Sequence, residues 1–292
     1  MISIKRKSLG DFIGDIVIYT VMTALALVMV IPFVYVIAAS FARESEIQSR
    51  PLFLWPETPT LAAYNVVFDM SDMGPTVLRA LAVSIGITLV GTLVNMFFTT
   101  TMAYGLSRKN LVGKGPLLKM VMFTMVFSGG MIPTFLIVRS LGMYDTFAAL
   151  ILPGAISAYN MLIIRNFFLG LPSELEEAAS IDGCSDIGIF FKIALPLSMP
   201  VLATFSLFYG VGHWNDYMSS LIYIDDQKKY PFTLVLRSLV MQNPTETTEA
   251  ELPPSDTLKM AVIVIGTIPI LCVYPFLQKH FAAGTMVGAV KG

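Results

Sequence analysis

Two ionisable side chains, His213 and Asp216, stand three positions apart in an otherwise apolar stretch. Histidine and carboxylate side chains inside a membrane protein are the groups that relay protons or contact polar solutes. Residues i and i+3 lie on one face of a helix, so these two can meet. Two roles fit them equally: a pair that lines a transport pathway, and a hydrogen-bonding contact between helices.

Other reactive side chains are sparse and do not form a recognisable catalytic group. The second histidine, His280, lies far from the first along the chain, and the thiols of Cys184 and Cys272 fit neither a disulfide framework nor a metal-ligand spacing. The only Gly-Lys pair, at 113–114, is followed by Gly115 where a phosphate-binding loop needs Ser or Thr. The sequence therefore predicts no enzyme, no metal site and no nucleotide bound by this chain.

The elements that must position these groups are membrane helices. Of the 292 residues, 55% are hydrophobic and only 13% are charged, a balance typical of an integral membrane protein. A spanning helix needs about 20 mostly apolar residues, and the sequence predicts an all-α protein with six of them in a single domain, 1–292. These spans lie near 16–41 (a retained signal anchor), 76–105, 117–140, 146–171, 197–223 and 257–277.

The distribution of Lys and Arg predicts the orientation of the spans. The short loop at 104–119 carries four cations, and positively charged loops stay in the cytoplasm. Both termini and the polar segment 172–196 are then cytoplasmic. The proline-rich segments 42–75 and 224–256 are external caps, and Gly129-Gly130 predicts a kink in the third span.

Further polar residues in the spans are candidates for a solute pathway. Asn95 with the threonines at 99–101, and Tyr159 with Asn160, could form polar walls or hydrogen bonds between helices. Trp214 and Tyr159 offer the aromatic faces on which sugars pack. Arg165, near the cytoplasmic end of the fourth span, is predicted to extend its charge to the membrane surface. The pathway candidates are Trp214, Asn215, Asp216, Tyr159 and Asn160.

The segment 172–196 has the pattern of two short helices joined by a glycine. Ser173 and Glu176 predict a capping box at the start of the first helix, and Gly183 predicts a left-handed end. A second apolar repeat follows, and Pro196 is expected to end it. An amphipathic helix resting on lipid headgroups is the alternative, but the carboxylates of this segment disfavour anionic lipid and favour a protein partner with basic edges.

These residues resemble the EAA loop of ABC importer permeases, which docks into a groove of a cytoplasmic ATPase. The resemblance implies a type I importer permease fold and a coupling role for the residues of the motif. They are Glu177, Ala178, Ala179, Asp182, Gly183, Phe190, Leu195 and Pro196.

Trp214-Asn215-Asp216, Tyr230-Pro231 and the Gly288–Gly292 terminus are similar to carbohydrate-importer permeases, most nearly the maltose-permease-G branch for complex oligosaccharides. The resemblance implies import of an oligosaccharide, including acidic ones such as alginate fragments, across a bacterial inner membrane. It also implies three partners: a homologous second permease of different sequence, an ATPase dimer that binds ATP and Mg²⁺, and an external solute-binding protein. A net charge of −1 gives no sign of a nucleic acid partner.

Three alternatives remain open at this stage. An ABC permease for a peptide or an ion would share the EAA-like loop. An ion-driven secondary transporter would need a buried carboxylate relay, for which Asp216 is the one candidate. A membrane enzyme would need a catalytic group that the two histidines do not supply.

Overall fold

The computed structural model describes residues 9–50, 52–69, 74–241 and 255–284, and every regular element in these ranges is helical. The chain forms two compact units. The first comprises Met1–Gly74 and Leu239–Ile265, and the second Pro75–Ser238 and Gly266–Gly292. The basic residues at 5–7 and the terminal Gly288–Gly292 motif lie outside the described residues.

The first unit is built on a long apolar helix, α1 (Leu9–Ser40). Most of its large side chains are exposed, as expected for a helix that is apolar on all sides and surrounded by lipid. Only its end is packed: Ala38 and Ala39 form a small core with Phe53, in contact with Met260. Two short helices follow, α2 (Glu44–Ser49) and α3 (Ala62–Phe68).

The second unit contains the remaining elements up to the last long helix. They are α4 (Gly74–Ser107), α5 (Lys114–Val126), α6 (Met131–Ser140), α7 (Ala148–Ile151), α8 (Ala158–Leu169), α9 (Ser173–Ile181), α10 (Asp186–Ile189), a π-helical turn (Phe190–Ala194), α11 (Leu195–Leu197), α12 (Met199–Asn215), α13 (Met218–Tyr223), a 3₁₀ turn (Gln227–Lys229) and α14 (Phe232–Met241). The last helix, α15 (Asp256–Gly284), has residues in both units.

Helix α4 is the centre of the second unit. Asn95 Nδ2 donates to the Gly154 carbonyl at 2.8 Å, and Arg165 Nε donates to the Leu106 carbonyl at 2.9 Å. Both pairs are 59 positions apart, so α8 runs parallel to α4. The guanidinium of Arg165 thus contacts a free carbonyl in the last turn of α4, a group that has no partner within the helix.

The predicted third span is not one helix. Neither α5 nor α6 alone is long and apolar enough to cross a membrane, but the two together are. The chain bends by 119° at the break between them. Gly130 has φ +83° at this break, a conformation that favours glycine. The predicted kink at Gly129-Gly130 is therefore confirmed, and it divides residues 117–140 between two helices.

The predicted fourth span is interrupted as well. Helix α7 ends after one turn, the six residues from Leu152 to Ser157 are not helical, and α8 then continues. The Pro153-Gly154 pair in this stretch is a strong signal for a turn, and the predicted span did not take it into account. A continuous helix over 146–171 is therefore wrong.

The number of spans is lower in the described residues than predicted. Three helical stretches are long and apolar enough to cross a membrane alone: Phe12–Ser40, Thr76–Ser107 and Asp256–Val273. The bent pair α5 with α6, and the pair Asp186–Leu197 with α12, raise the number to five. These helices support a multi-pass membrane protein without confirming six spans.

Candidate functional site

The segment that carries the EAA-like residues folds as two helical pieces joined by a glycine. Helix α9 ends at Ile181, and Gly183 follows with φ +80°. The Cys184 amide donates to the Ala179 carbonyl at 2.9 Å across this turn, as in the common glycine-terminated helix end. Ser185 then caps α10 by accepting from the Gly188 amide at 3.2 Å. The predicted left-handed stop is confirmed.

The predicted capping box is wrong. Ser173 is the first helical residue, Pro172 occupies the cap position, and no side chain caps the helix. The Glu176 carboxylate, which a capping box would direct to the local backbone, instead forms an ion pair with Arg108. The sequence did not show that the end of α4 places Arg108 next to this carboxylate.

Pro196 does not end the second helical piece, contrary to the prediction. The Leu195 amide bonds to the Phe190 carbonyl, which widens the turn before the proline to the π form. Helix continues through Leu197, and the chain bends by 82° before α12 begins at Met199. The loss of the Pro196 amide is tolerated because this residue lies in the first turn of a new helical piece.

A buried aromatic side chain anchors this segment to the membrane helices. Phe190 is 6% exposed, and its ring centroid lies 4.8 Å from that of Tyr104 on α4 and 6.4 Å from that of Phe168 on α8. Aromatic pairs at these separations contribute about 0.5–1.5 kcal/mol beyond area burial. Phe190 therefore holds the segment against the ends of two helices, an inward role that differs from direct contact with a partner.

The ion pair between Arg108 and Glu176 is a second link from the segment to α4. The two side chains are 27% and 24% exposed, so solvent screens them only in part. The Arg108 guanidinium carbon also lies 4.2 Å from the Tyr104 ring centroid, a cation–π distance. Any displacement of α9 must therefore either move the end of α4 or break this contact.

The opposite face of the segment is exposed and partly apolar. Ile181 and Ile187 are 86% and 71% exposed, and Glu177 and Asp182 are exposed beside them. These side chains give the segment an exposed surface that is partly apolar and partly acidic. We call Leu175, Glu177, Asp182, Ile181 and Ile187 the outer face. Its two isoleucines were not among the residues singled out from the motif.

The remaining motif residues serve the framework. Ala178 is exposed and Ala179 half-buried on α9, while Leu195 is half-buried and Pro196 exposed after the π turn. Leu195 also packs against the buried core that contains Phe190, and the coupling role of these four residues stays a prediction.

The His213 side chain hydrogen-bonds to α4. Its Nε2 lies 3.0 Å from Asn95 Oδ1, while Asn95 Nδ2 donates to the Gly154 carbonyl. Because an amide oxygen only accepts, Nε2 is the protonated nitrogen in this network. Thr99 and Tyr209 share a second bond of 2.8 Å one turn further on, so α12 runs antiparallel to α4. The helix-to-helix role of His213 is thus the one that the structure supports.

The close crossing of α4 and α12 depends on a glycine. A Cβ placed on Gly91 would lie 2.5 Å from His213 Nε2. We expect Gly91→Ala to lower the stability of the folded chain by about 1–3 kcal/mol through overpacking. Gly86→Ala on the same helix, where a Cβ meets nothing within 4 Å, is the control, with no loss and a gain of up to about 1 kcal/mol. Thermal unfolding of the two purified variants measures the difference, and equal midpoints would contradict the close packing.

The other candidates for a solute pathway occupy different environments. Asp216 Oδ1 accepts from the Ser219 amide at 3.1 Å, so this carboxylate caps α13. Trp214 is buried, and the Asn215 side-chain amide donates to a carbonyl of its own helix. Tyr159 is 60% exposed and Asn160 half-buried at the start of α8. A pathway role for these five residues remains a prediction.

A polar cluster outside the spans joins two connections of the second unit. Asp145, with φ +57°, accepts hydrogen bonds from Lys229 Nζ at 2.7 Å and from the amides of Asp225 and Asp226 at 3.1 and 3.0 Å. The bond from Lys229 first, and then those from the two amides, lower the pKa of Asp145 from 3.8 to about 2. The bond to Asp145 raises the pKa of Lys229 above 10.5.

This cluster predicts a pH-dependent contribution to stability. Because the pKa of Asp145 is lower in the folded chain, its contribution is complete above pH 3.8 and is lost as the pH falls to about 2. The Lys229 contribution is complete below pH 10.5 and is lost as the pH rises beyond that value. We expect Asp145→Asn, which tolerates the same backbone conformation, to unfold at a lower temperature than the wild type at pH 7. The difference should shrink as the pH falls from about 4 to 2, and a constant difference would contradict the assignment.

Long apolar helices, together with a helical segment held at the end of α4, define a multi-pass membrane protein with an exposed outer face on that segment. Residues 99–287 match the family of the binding-protein-dependent transport system inner membrane component, and the chain belongs to this family. It is therefore a transport subunit and not an enzyme.

Relatives and a solved structure cover nearly the whole chain. The chain is 51% identical to the polygalacturonan/rhamnogalacturonan transport system permease protein YtcP of Bacillus subtilis, over 95% of this chain and 98% of that one. It is 54% identical to Protein LplC of the same organism, over 91% of this chain and 90% of that one. A chain of a bacterial ABC transporter involved in the import of the acidic polysaccharide alginate superposes with a TM-score of 0.86 at 30% identity, over 94% of this chain and 99% of that chain. These comparisons confirm the resemblance to ABC permeases for carbohydrates and the importer permease fold.

Proposed function

We propose that this chain is a permease subunit of an ATP-driven, binding-protein-dependent importer whose solutes are acidic oligosaccharides. Two of the proteins it resembles are named for acidic polysaccharides, polygalacturonan and alginate. The arabinooligosaccharide permease AraQ of Halalkalibacterium halodurans is more distant, at 28% identity over 92% of this chain. Uronic-acid oligomers are therefore the first solutes to test.

The observation that carries the coupling role is the outer face. Ile181 and Ile187 are exposed between carboxylates on a segment that is anchored by Phe190 and by the Arg108–Glu176 ion pair. A cytoplasmic ATPase dimer with an apolar groove and basic edges is the partner that this surface fits. In this proposal the ATPase binds ATP and Mg²⁺, and the permease binds neither.

We also propose an orientation for the chain in the membrane and two further protein partners. Both termini and the outer face lie in the cytoplasm, because the loop between α4 and α5 carries Arg108, Lys109 and Lys114. A homologous second permease of different sequence pairs with this chain in the inner membrane. An external solute-binding protein delivers the oligosaccharide to the opposite side.

The alternative classes have less support. A secondary transporter needs a buried carboxylate for ion coupling, and the candidate, Asp216, is engaged with the Ser219 amide. A permease for peptides or ions would share the docking segment, but the relatives above are named for carbohydrates.

A substitution on the outer face tests the docking role. We expect Ile181→Lys to reduce the amount of ATPase that co-purifies with the permease complex by about tenfold, because a charge replaces a buried contact worth 1.4 kcal/mol or more. The control is Val112→Lys in the α4–α5 loop, where the side chain is 94% exposed. Quantitative mass spectrometry of the purified complex measures the ratio. Full retention of the ATPase by the Ile181 variant would contradict the proposal.

The class of solute is tested separately on the reconstituted complex. We expect oligogalacturonides, presented with the binding protein, to stimulate ATP hydrolysis, and neutral oligosaccharides of equal length to stimulate it much less. Equal stimulation by both would overturn the preference for acidic solutes while leaving the importer assignment intact.

A further inference from the structure

The unwound segment between α7 and α8, Leu152–Ser157, lies at the depth of the membrane interior. Helix α8 has 12 residues, so it places Ser157 about 18 Å from its cytoplasmic end. Asn95, which bonds to Gly154, is about the same distance from the end of α4, as expected for parallel helices in register. A hydrocarbon core is about 30 Å thick, so the segment lies well inside it.

This segment keeps its shape through contacts to α4 and α12. The Gly154 carbonyl accepts from Asn95 Nδ2, and the Ser157 amide donates to the Tyr209 hydroxyl at 3.1 Å. Tyr209 is in turn bonded to Thr99. One side of the unwound backbone is therefore fixed by the two helices.

The other side of the segment is exposed, with two apolar side chains and two backbone amides that lack a partner in the part of the chain that the structure describes. Leu152 and Ile156 are 47% and 40% exposed. Within the described residues, neither the Gly154 amide nor the Ile156 amide donates a hydrogen bond. Tyr159, the second residue of α8, is 60% exposed, and its hydroxyl has no partner within the described residues either.

Free peptide groups cannot face lipid at this depth. Each unsatisfied amide in hydrocarbon costs several kcal/mol, so irregular backbone occurs inside membranes only where protein covers it or where it lines a water-filled cavity. The exposed and partly polar character of this face favours water over a dry protein contact. The exposed Tyr159 ring would add an apolar surface for a sugar ring beside the free amides.

We propose that Leu152–Ser157 forms part of the wall of a water-filled translocation pathway and presents the Gly154 and Ile156 amides to the hydroxyl and carboxylate oxygens of a passing oligosaccharide. This inference rests on the proposed function, because it assumes that the chain conducts such a solute. Backbone amides bind oxygens of either kind, so the wall would admit oligosaccharides of varied sequence.

Cysteine labelling of the assembled transporter tests the proposal. In a chain with Cys184→Ser and Cys272→Ser, the positions to label are Leu152→Cys and Ile156→Cys. The matched control is Leu93→Cys, a position that is 70% exposed at nearly the same depth on the helical part of α4. A membrane-impermeant, charged methanethiosulfonate is the probe.

We expect both segment cysteines to react about tenfold faster than the Leu93 control or more, because a thiolate forms in water and is suppressed in hydrocarbon. Saturating oligogalacturonide should slow their labelling. Rates equal to the control at both positions would overturn the aqueous wall, and fast labelling without protection would overturn the contact with the solute. Solute-stimulated ATP hydrolysis in the same preparation establishes separately whether the importer function holds.

Discussion

Replacing Gly183 by valine is expected to reduce solute-stimulated ATP hydrolysis about tenfold or more, while the chain stays inserted in the membrane and paired with the proposed second permease. Gly183 has φ +80° and joins α9 to α10, a conformation that costs an ordinary L-residue about 1–2 kcal/mol and a β-branched residue more. Valine therefore shifts the two helical pieces out of register. Because a factor of ten corresponds to 1.4 kcal/mol, we expect a loss of about tenfold or more in the assembled, reconstituted complex.

Two further variants separate backbone conformation from side-chain bulk. A Cβ placed on Gly183 would have no neighbouring heavy atom within 4 Å, so the volume of a side chain by itself should not disturb the packing there. Gly183→Asn, which accepts a left-handed conformation, should keep most of the activity. Gly115→Ala, at an open helical position of α5, should behave as the wild type. Wild-type coupling in Gly183→Val would show that the turn does not position the outer face.

Reversing the charge of Arg108 is the second change with a large expected effect. In Arg108→Glu a carboxylate faces Glu176 in place of an ion pair between partly buried groups. The Tyr104 ring also loses its cation. Removing one partner of such a pair costs about 1.5–3 kcal/mol. We expect solute-stimulated ATP hydrolysis to fall at least tenfold, while basal hydrolysis by the ATPase changes little.

The exchange of the two charges tests whether the pair itself matters. Arg108→Glu combined with Glu176→Arg restores opposite charges at the same positions, so it should recover a large part of the coupling. Glu176→Gln, which keeps the shape of the side chain, should show an intermediate loss. If the double variant were no better than the sum of the single ones, the pair would carry no coupling, and Phe190 would be the remaining link to α4.

Together these contacts suggest how movement of the docking segment could reach the membrane interior. Arg108 ties α9 to the end of α4, and the bonds of Asn95 and Thr99 tie α4 to α12. The unwound segment is hydrogen-bonded to both helices. A displacement at the outer face is thus expected to move α4, α12 and the segment as one body.

The sequence by itself determined the features that depend on local pattern. Long apolar runs indicate membrane helices, because the exposure of so much apolar surface to water is unfavourable. The two short helical pieces within 172–196 were predicted from their apolar spacing, and Gly183 was predicted to end the first because glycine populates the left-handed region. The bend at Gly129-Gly130 follows from the same property.

Tertiary structure decided the features that depend on distant neighbours. Glu176 pairs with Arg108, 68 positions away, and not with its own helix end. The His213 side chain bonds to Asn95, 118 positions away. Pro153-Gly154 signals a turn locally, but the bonds that hold the broken backbone after α7 come from Asn95 and Tyr209, which are distant in sequence. Local pattern specifies where a polar group lies along the chain, but only the packing of the helices specifies which partner satisfies it.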